Sequence, residues 1–333
     1  MNNTGIIITL AFPETIVKVS DEWFISLIRY MGIGKKNYVR AGHAAIVLAD
    51  TEGSQLEYYD FGRYIAPDNH GRVRSKETDH ELEFPIRPIF QNNTLVNLNE
   101  ILTFLATSPK FTHGQGKLIA SVCDEIDYKK AKNYIIDLQN RDFVKYAVFK
   151  KNASNCARFV TDTLIAGTTN KKIKKRLKRS KWFTPSTVGN VVLSNTKNRI
   201  YEISETGDIG EFKSTVTKEN TKNFLDRLRV FQPDAVGTIH PKPLKEISSH
   251  AQWIGGVGAG AWFELHDTAE NYMYRFKRIS PHGSIDVNGL YKIDDEEFHY
   301  DSEYEFIHYS NCQFFHIKQG EKIFRFDLLK KLN

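Results

Sequence analysis

A chain of 333 residues that is 41% hydrophobic, 26% charged and 12% aromatic holds enough apolar material for packed cores, which excludes a largely disordered polymer and favours two domains. Its longest uncharged apolar runs, GIIITLAF at 5–12 and WIGGVGAGAWF at 253–263, fall short of the roughly 18 residues that mark a membrane-spanning helix. The net charge of +6 is local: NKKIKKRLKRSK at 170–181 carries eight Lys or Arg and no acid, and removing those charges leaves −2 for the rest, so the excess does not describe a general nucleic-acid-binding surface.

GIIITLAF predicts a buried strand, and DEWFISLIRYMG at 21–32 an amphipathic helix with Gly32 past its end. Pro13 and Glu14 interrupt the first apolar run, and MNNTG lacks a basic segment. No secretory signal is therefore expected, and the predicted location is the cytoplasm unless another system exports the protein. AGHAAIVLAD at 41–50 and LEYYDFGRYI at 56–65 flank the turn-rich TEGSQ and predict a hairpin. Apolar residues at three- and four-residue intervals predict helices at 98–108 and 127–141. A short strand follows at 146–150, then a helix at 156–167 closed by Gly167, the basic tract, and one more short helix within 184–195.

Residues 1–195 thus form an α+β unit with an antiparallel sheet and helices. The polar, turn-rich stretch at 196–245, ending in PDAVGTIHPKP, reads as a connecting segment, and the short aromatic runs of 246–333 as a β-rich accessory domain. GGVGAG at 255–260 imitates a dinucleotide fingerprint, but strand-like WFEL follows it in place of a helix, so it carries no cofactor. Cys123, Cys156 and Cys312 are far apart and form no CxxC pair, which argues against a disulfide framework or a zinc site.

The chemistry points to Cys156 and His43. Cys156 follows the capping run NASN and opens a helix whose packed stripe is Cys156, Phe159, Val160, Thr163 and Leu164. A thiol there meets unpaired backbone N–H groups and the positive end of the helix dipole, which favour a thiolate and can hold a developing oxyanion. His43 alternates with the small residues Ala45 and Ala49 along its strand. If the hairpin turns about Gly53, two of three adjacent registers set Asp60 opposite or diagonal to His43 on the same face, which makes Asp60 a candidate to orient the imidazole. Arg72 and Arg74, in HGRVRS after the hairpin, are candidates for holding a substrate carboxylate or phosphate.

The order strand histidine (AGHAAIVL), polar strand (EYYDFGRY) and helix-opening cysteine (NCARFV) about 110 residues later resembles the circularly permuted, NlpC-type papain-like fold shared by lecithin retinol acyltransferase and its bacterial relatives. More closely, GIGKKNYVRAGHAA, LEYYDFGRYIAPDNHGRVRS and NCARFV, with GAWFELH and SNCQFFHIKQ towards the C-terminus, resemble an uncharacterised bacterial family with an NlpC-like N-terminal region. The resemblance implies a cysteine hydrolase acting on an amide or ester of a peptidoglycan-type peptide or acyl lipid, with Cys156 as nucleophile, His43 as base and then acid, and no metal or organic cofactor. Many members carry a histidine on the second strand, where this chain has Asp60; Tyr59 and His70 stand behind Asp60 for that place. The alternatives are an acyltransferase and a non-catalytic binding protein on the same scaffold, with an anionic partner at the basic tract 171–181.

Overall fold

The computed structural model describes residues 3–19, 32–35, 38–92, 94–150, 152–230, 244–257, 259–281, 283–308 and 310–332. The helix expected at 21–32, Gly32 apart, and the PDAVGTIHPKP segment lie outside them. The described chain is mixed α+β, with two large antiparallel sheets.

The first sheet is built on β1 (Gly5–Phe12), whose apolar run lacks polar alternation because both of its faces are covered. Small β2 (Ile16–Lys18) and β3 (Tyr38–Arg40) pair apart from it. β4 (His43–Asp50), β5 (Leu56–Gly62) and β6 (His70–Arg74) extend it on one side by hairpins. β7 (Phe90–Gln91) and β8 (Thr94–Leu95) form a separate hairpin. β9 (Leu118–Ile126) pairs with the other edge of β1, and β10 (Val144–Lys145) closes the β6 edge, giving the order β10-β6-β5-β4-β1-β9. Two further strands, β11 (Tyr201–Ile203) and β12 (Ile209–Glu211), continue this sheet beyond β9. Part of the segment expected to connect the domains is therefore an edge of the first sheet.

On one face Ile6, Ile8, Leu10, Val47 and Tyr58 pack under the helix Leu98–Thr107. On the other, Ile7, Ile46, Leu48 and Phe61 pack under the helices Tyr128–Gln139, Cys156–Gly167 and Lys171–Ser180. The C-terminal sheet comprises β13 (Gln252–Gly255), β14 (Gly260–Asp267), β15 (Met273–Ile279), β16 (Ile285–Lys292), β17 (Glu305–Ile307), β18 (Phe314–Gln319) and β19 (Lys322–Lys331). Its order is β13-β14-β15-β16-β19-β18-β17 around a core of aromatic rings. The side chain of Gln252 nearly closes it into a barrel, donating to the Tyr304 carbonyl at 2.8 Å and accepting from the Phe306 N–H at 2.8 Å.

A buried ion cluster joins the two sheets: Arg278 donates to Asp79 at 3.3 Å and to Glu81 at 3.0 Å, while Arg72 holds Asp79 from the other side. The Cys312 N–H adds a bond to the Thr78 carbonyl at 3.1 Å.

Candidate active site

The β4–β5 register pairs Ala45 with Asp60; continued by two residues it leaves Asp60 diagonal to His43 and Gly62 across from it. Gly62 is needed there, because a Cβ would stand 2.3 Å from the ring of Tyr64, which folds back over the site. Asp60 is fully buried. Its Oδ2 accepts from His43 Nε2, the Tyr58 hydroxyl and the Tyr64 hydroxyl, each at 3.2 Å, and from Arg74 Nη2 at 2.6 Å. Its Oδ1 accepts from Arg74 Nε at 3.0 Å, and the β5–β6 register sets Arg74 directly opposite. The Arg74 guanidinium also lies 3.8 Å over the Tyr64 ring.

Burial opposes the charge on Asp60, but the Arg74 charge and hydrogen bonds from His43 and Arg74 outweigh it and hold the carboxyl far below the usual carboxylate range. Burial likewise opposes the charge on His43. Hydrogen bonds and charge from Asp60 and from Cys156 overcome it and push the imidazole up to about 9.

Cys156 reaches His43 because of where its helix is fixed at each end. At the far end, the Asp127 N–H donates to the Gly167 carbonyl at 2.8 Å, beside Ile126, which pairs with Gly5, itself opposite Asp50. The helix thus runs along β4 from the His43 end towards Asp50. At the near end, Asn155 is extended (φ −151°, ψ 174°) and caps the first turn: its Oδ1 accepts from the Arg158 N–H at 2.9 Å, while its Nδ2 donates to the Ala147 carbonyl at 3.1 Å. Cys156 stands in that first turn, where backbone N–H groups have no partner within the helix. With Nε2 turned to Asp60, Nδ1 is the ring nitrogen left for the sulfur. Cys156 and His43 are 8% and 6% exposed, so the pair lies just beneath the surface.

The other residues singled out in the sequence are placed differently. Tyr59 faces the opposite side of the sheet among Ile46, Phe61 and Phe159, and its hydroxyl accepts from Lys132. His70 begins β6 with its Nδ1 bonded to the Asp68 carbonyl at 2.8 Å and does not join the cluster. Arg72 and Arg74, expected on a loop open to a substrate anion, are strand residues buried in ion pairs. Arg72 grips both oxygens of Asp79 at 2.5 and 2.7 Å and donates to the Tyr64 carbonyl at 2.9 Å, and Arg74 grips Asp60. Their guanidinium groups are occupied by carboxylates of the protein itself.

Sequence reasoning did not find four residues around the site. Tyr58 carried a signal, since it lies two residues before Asp60 on the same strand and so on the same face. Tyr64, Arg158 and His113 carried no local one. Arg158 donates to the carbonyls of Val148 (2.7 Å), Lys150 and Ala153 (2.8 Å) and so gathers the loop that leads into Cys156. His113, at φ 54°, ends the short helix Pro109–Thr112 and meets the Tyr64 ring edge-on at 4.9 Å; burial and the Arg74 charge lower it to about 3, so it is neutral.

Cys123 and Cys312 are fully buried thiols, each pushed up to about 12 by burial, and neither sits at a helix start. Among the described residues no group of three or more His, Cys, Asp or Glu is arranged to hold a metal ion, and no helix is long and apolar enough to cross a membrane.

No curated protein matches the chain. A solved crystal structure, that of the type VI secretion system effector TseH, aligns at 16% identity with a TM-score of 0.43, covering 64% of this chain and 100% of that one. Residues 251–329 match the family described as the DUF6695 C-terminal domain. Residues 7–173, half of the chain and the part that carries His43, Asp60 and Cys156, match the family described as type VI secretion system effector TseH-like, and the protein belongs to that family.

Proposed function

We propose that the protein is a cysteine hydrolase on a permuted papain-like scaffold, cleaving an amide or ester of a peptidoglycan-type peptide or acyl lipid. The observation that carries this reading is the array of Cys156 in a capped first turn, His43 beside it and Asp60 bonded to His43 Nε2 at 3.2 Å. In the first step the sulfur, its proton held on His43, attacks the carbonyl carbon, and the Cys156 N–H stabilises the oxyanion. The C–N or C–O bond breaks as His43 gives its proton to the leaving nitrogen or oxygen, leaving a thioester. Water, deprotonated by His43, then adds to the thioester and releases the acid and the thiolate. Asp60 orients the ring, and Arg74, Tyr58 and Tyr64 position Asp60. Arg72 and Arg74 are positioning residues in this scheme, not substrate ligands.

Membership of an effector family supports delivery by a secretion system over retention in the cytoplasm. The test is acid-quenched mass spectrometry of the protein mixed with peptidoglycan fragments or with phospholipid. The scheme expects an acyl adduct on the peptide containing Cys156, and neither adduct nor turnover in Cys156→Ala. Undiminished turnover by Cys156→Ala would overturn it.

A further inference from the structure

The basic tract is not a solvated coil. It forms the helix Lys171–Ser180, started by Asn170, whose Oδ1 accepts from the N–H groups of Lys172 (2.8 Å) and Ile173 (3.0 Å). Ile173 and Leu177, four residues apart, anchor it in the layer that also holds Cys156. Its remaining positions are Lys, Arg and one Ser. Lys181 pairs with Asp162 at 2.5 Å, but the other seven cations, Lys171 to Arg179, form no ion pair among the described residues. Like charges three and four apart on a helix repel each other, so tertiary anchoring holds together an array that the helix alone disfavours.

Where the helix ends, Trp182 and Phe183 project into solvent, 87% and 75% exposed. Phe183 packs edge-on against Phe149 at 5.0 Å, and Thr184 donates to the Val148 carbonyl at 3.4 Å, which fastens the pair to the loop preceding Cys156. Phe183 and Phe149 thus make an apolar pair, and exposed Trp182 precedes Phe183 in the chain where the row of seven unpaired cations ends.

We propose that this face docks on an anionic lipid bilayer, with the cations at the phosphates and Trp182 and Phe183 in the headgroup boundary. Tryptophan and basic residues favour that boundary for the same physical reasons: an amphipathic ring and a long stem with a charged tip. A single-stranded nucleic acid instead calls for open ring faces spaced within the cationic row. Here Trp182 and Phe183 follow the end of the row, and Phe183 is already packed on Phe149. The proposal is independent of the chemistry at Cys156.

The test uses the full chain with vesicles of phosphatidylcholine alone or mixed with phosphatidylglycerol, read by co-sedimentation and by quenching from brominated lipid. The expected result is binding to the mixed vesicles only, weakened by salt, with quenching that is lost in Trp182→Phe/Phe183→Ser. Binding should fall roughly tenfold or more both in that variant and in Lys171→Gln/Lys175→Gln/Lys178→Gln. All the altered side chains are exposed, so circular dichroism and thermal midpoint should stay unchanged. Failure to bind the mixed vesicles, equal binding to neutral ones, or wild-type binding by the aromatic variant would each overturn the proposal. So would tighter binding to single-stranded RNA that depends on the same two rings, which would assign the face to nucleic acid.

Discussion

His43 keeps its proton up to about pH 9 because Asp60 and Cys156 more than compensate for the loss of water around it. In the proposed cycle the protonated ring donates to the leaving group, so activity should decline as pH rises through about 9. Asp60→Asn removes the largest raising contribution and should bring that alkaline limb down by roughly one unit or more. The same substitution leaves Arg74 buried without a counter-charge and should cost about 3–5 kcal/mol of stability. Rate and urea denaturation therefore have to be measured together, at a temperature where the variant is folded. An unmoved alkaline limb would show that Asp60 does not act on His43. At this scale the positions of His43, Asp60 and Cys156 were legible in the sequence, because one short hairpin and one cap set their places. The sequence did not reveal that Asp60 is shared with Arg74: HGRVRS reads as a loop until His70–Arg74 is recognised as a strand, on which Arg72 and Arg74 share one face and Val73 takes the other.

The capped helix is the element on which the thiol depends. Asn155→Ala should lower stability by about 0.5–2 kcal/mol in urea titration, whereas Asn155→Asp, which keeps the acceptor for the Arg158 N–H, should stay close to wild type. Equal loss in both would mean that the Nδ2 bond to Ala147, not the cap, is what matters. Helix Cys156–Gly167 was legible to the residue because its capping run and closing glycine are local signals. The strand expected at 146–150 is absent for a non-local reason. Arg158, from within the helix, takes the carbonyls of Val148, Lys150 and Ala153, and Tyr146 forms an isolated bridge to Ser154 while its N–H donates to the Asn69 carbonyl at 2.8 Å. Likewise β11 and β12 are too short to announce themselves in a polar stretch; β11 becomes a strand by pairing with the edge of β9, and β12 by pairing with β11.

The whole molecule is joined across a buried polar contact, and that contact is pH-sensitive in two directions. Asp79 is held well below its ordinary range, since the charges of Arg72 and Arg278 outweigh its burial; its contribution is present above about pH 3.8 and is lost in acid. Asp286 is the opposite case. Burial raises it to about 7 despite the nearby Arg278, so it opposes folding increasingly as pH rises from about 3.8 through 7. Asp286→Asn should therefore stabilise the protein, and by more at pH 8 than at pH 5 in thermal melts. A gain independent of pH would contradict this account of the interface. The pairings of Arg278 with Asp79 and Glu81 were not legible in the sequence, because they join residues about 200 positions apart.

A hydrolase of this kind requires Cys156 to be an activated thiol. Iodoacetamide labelling of the folded protein at pH 7, resolved by peptide mass spectrometry, tests this most directly. Cys156 should react well before Cys123 and Cys312, which should label only after unfolding, and His43→Ala should slow Cys156 to the rate of an ordinary thiol. If Cys156 reacts no faster than a cysteine in the unfolded chain, or is indifferent to the loss of His43, then it is a packing residue and the proposed hydrolase is wrong.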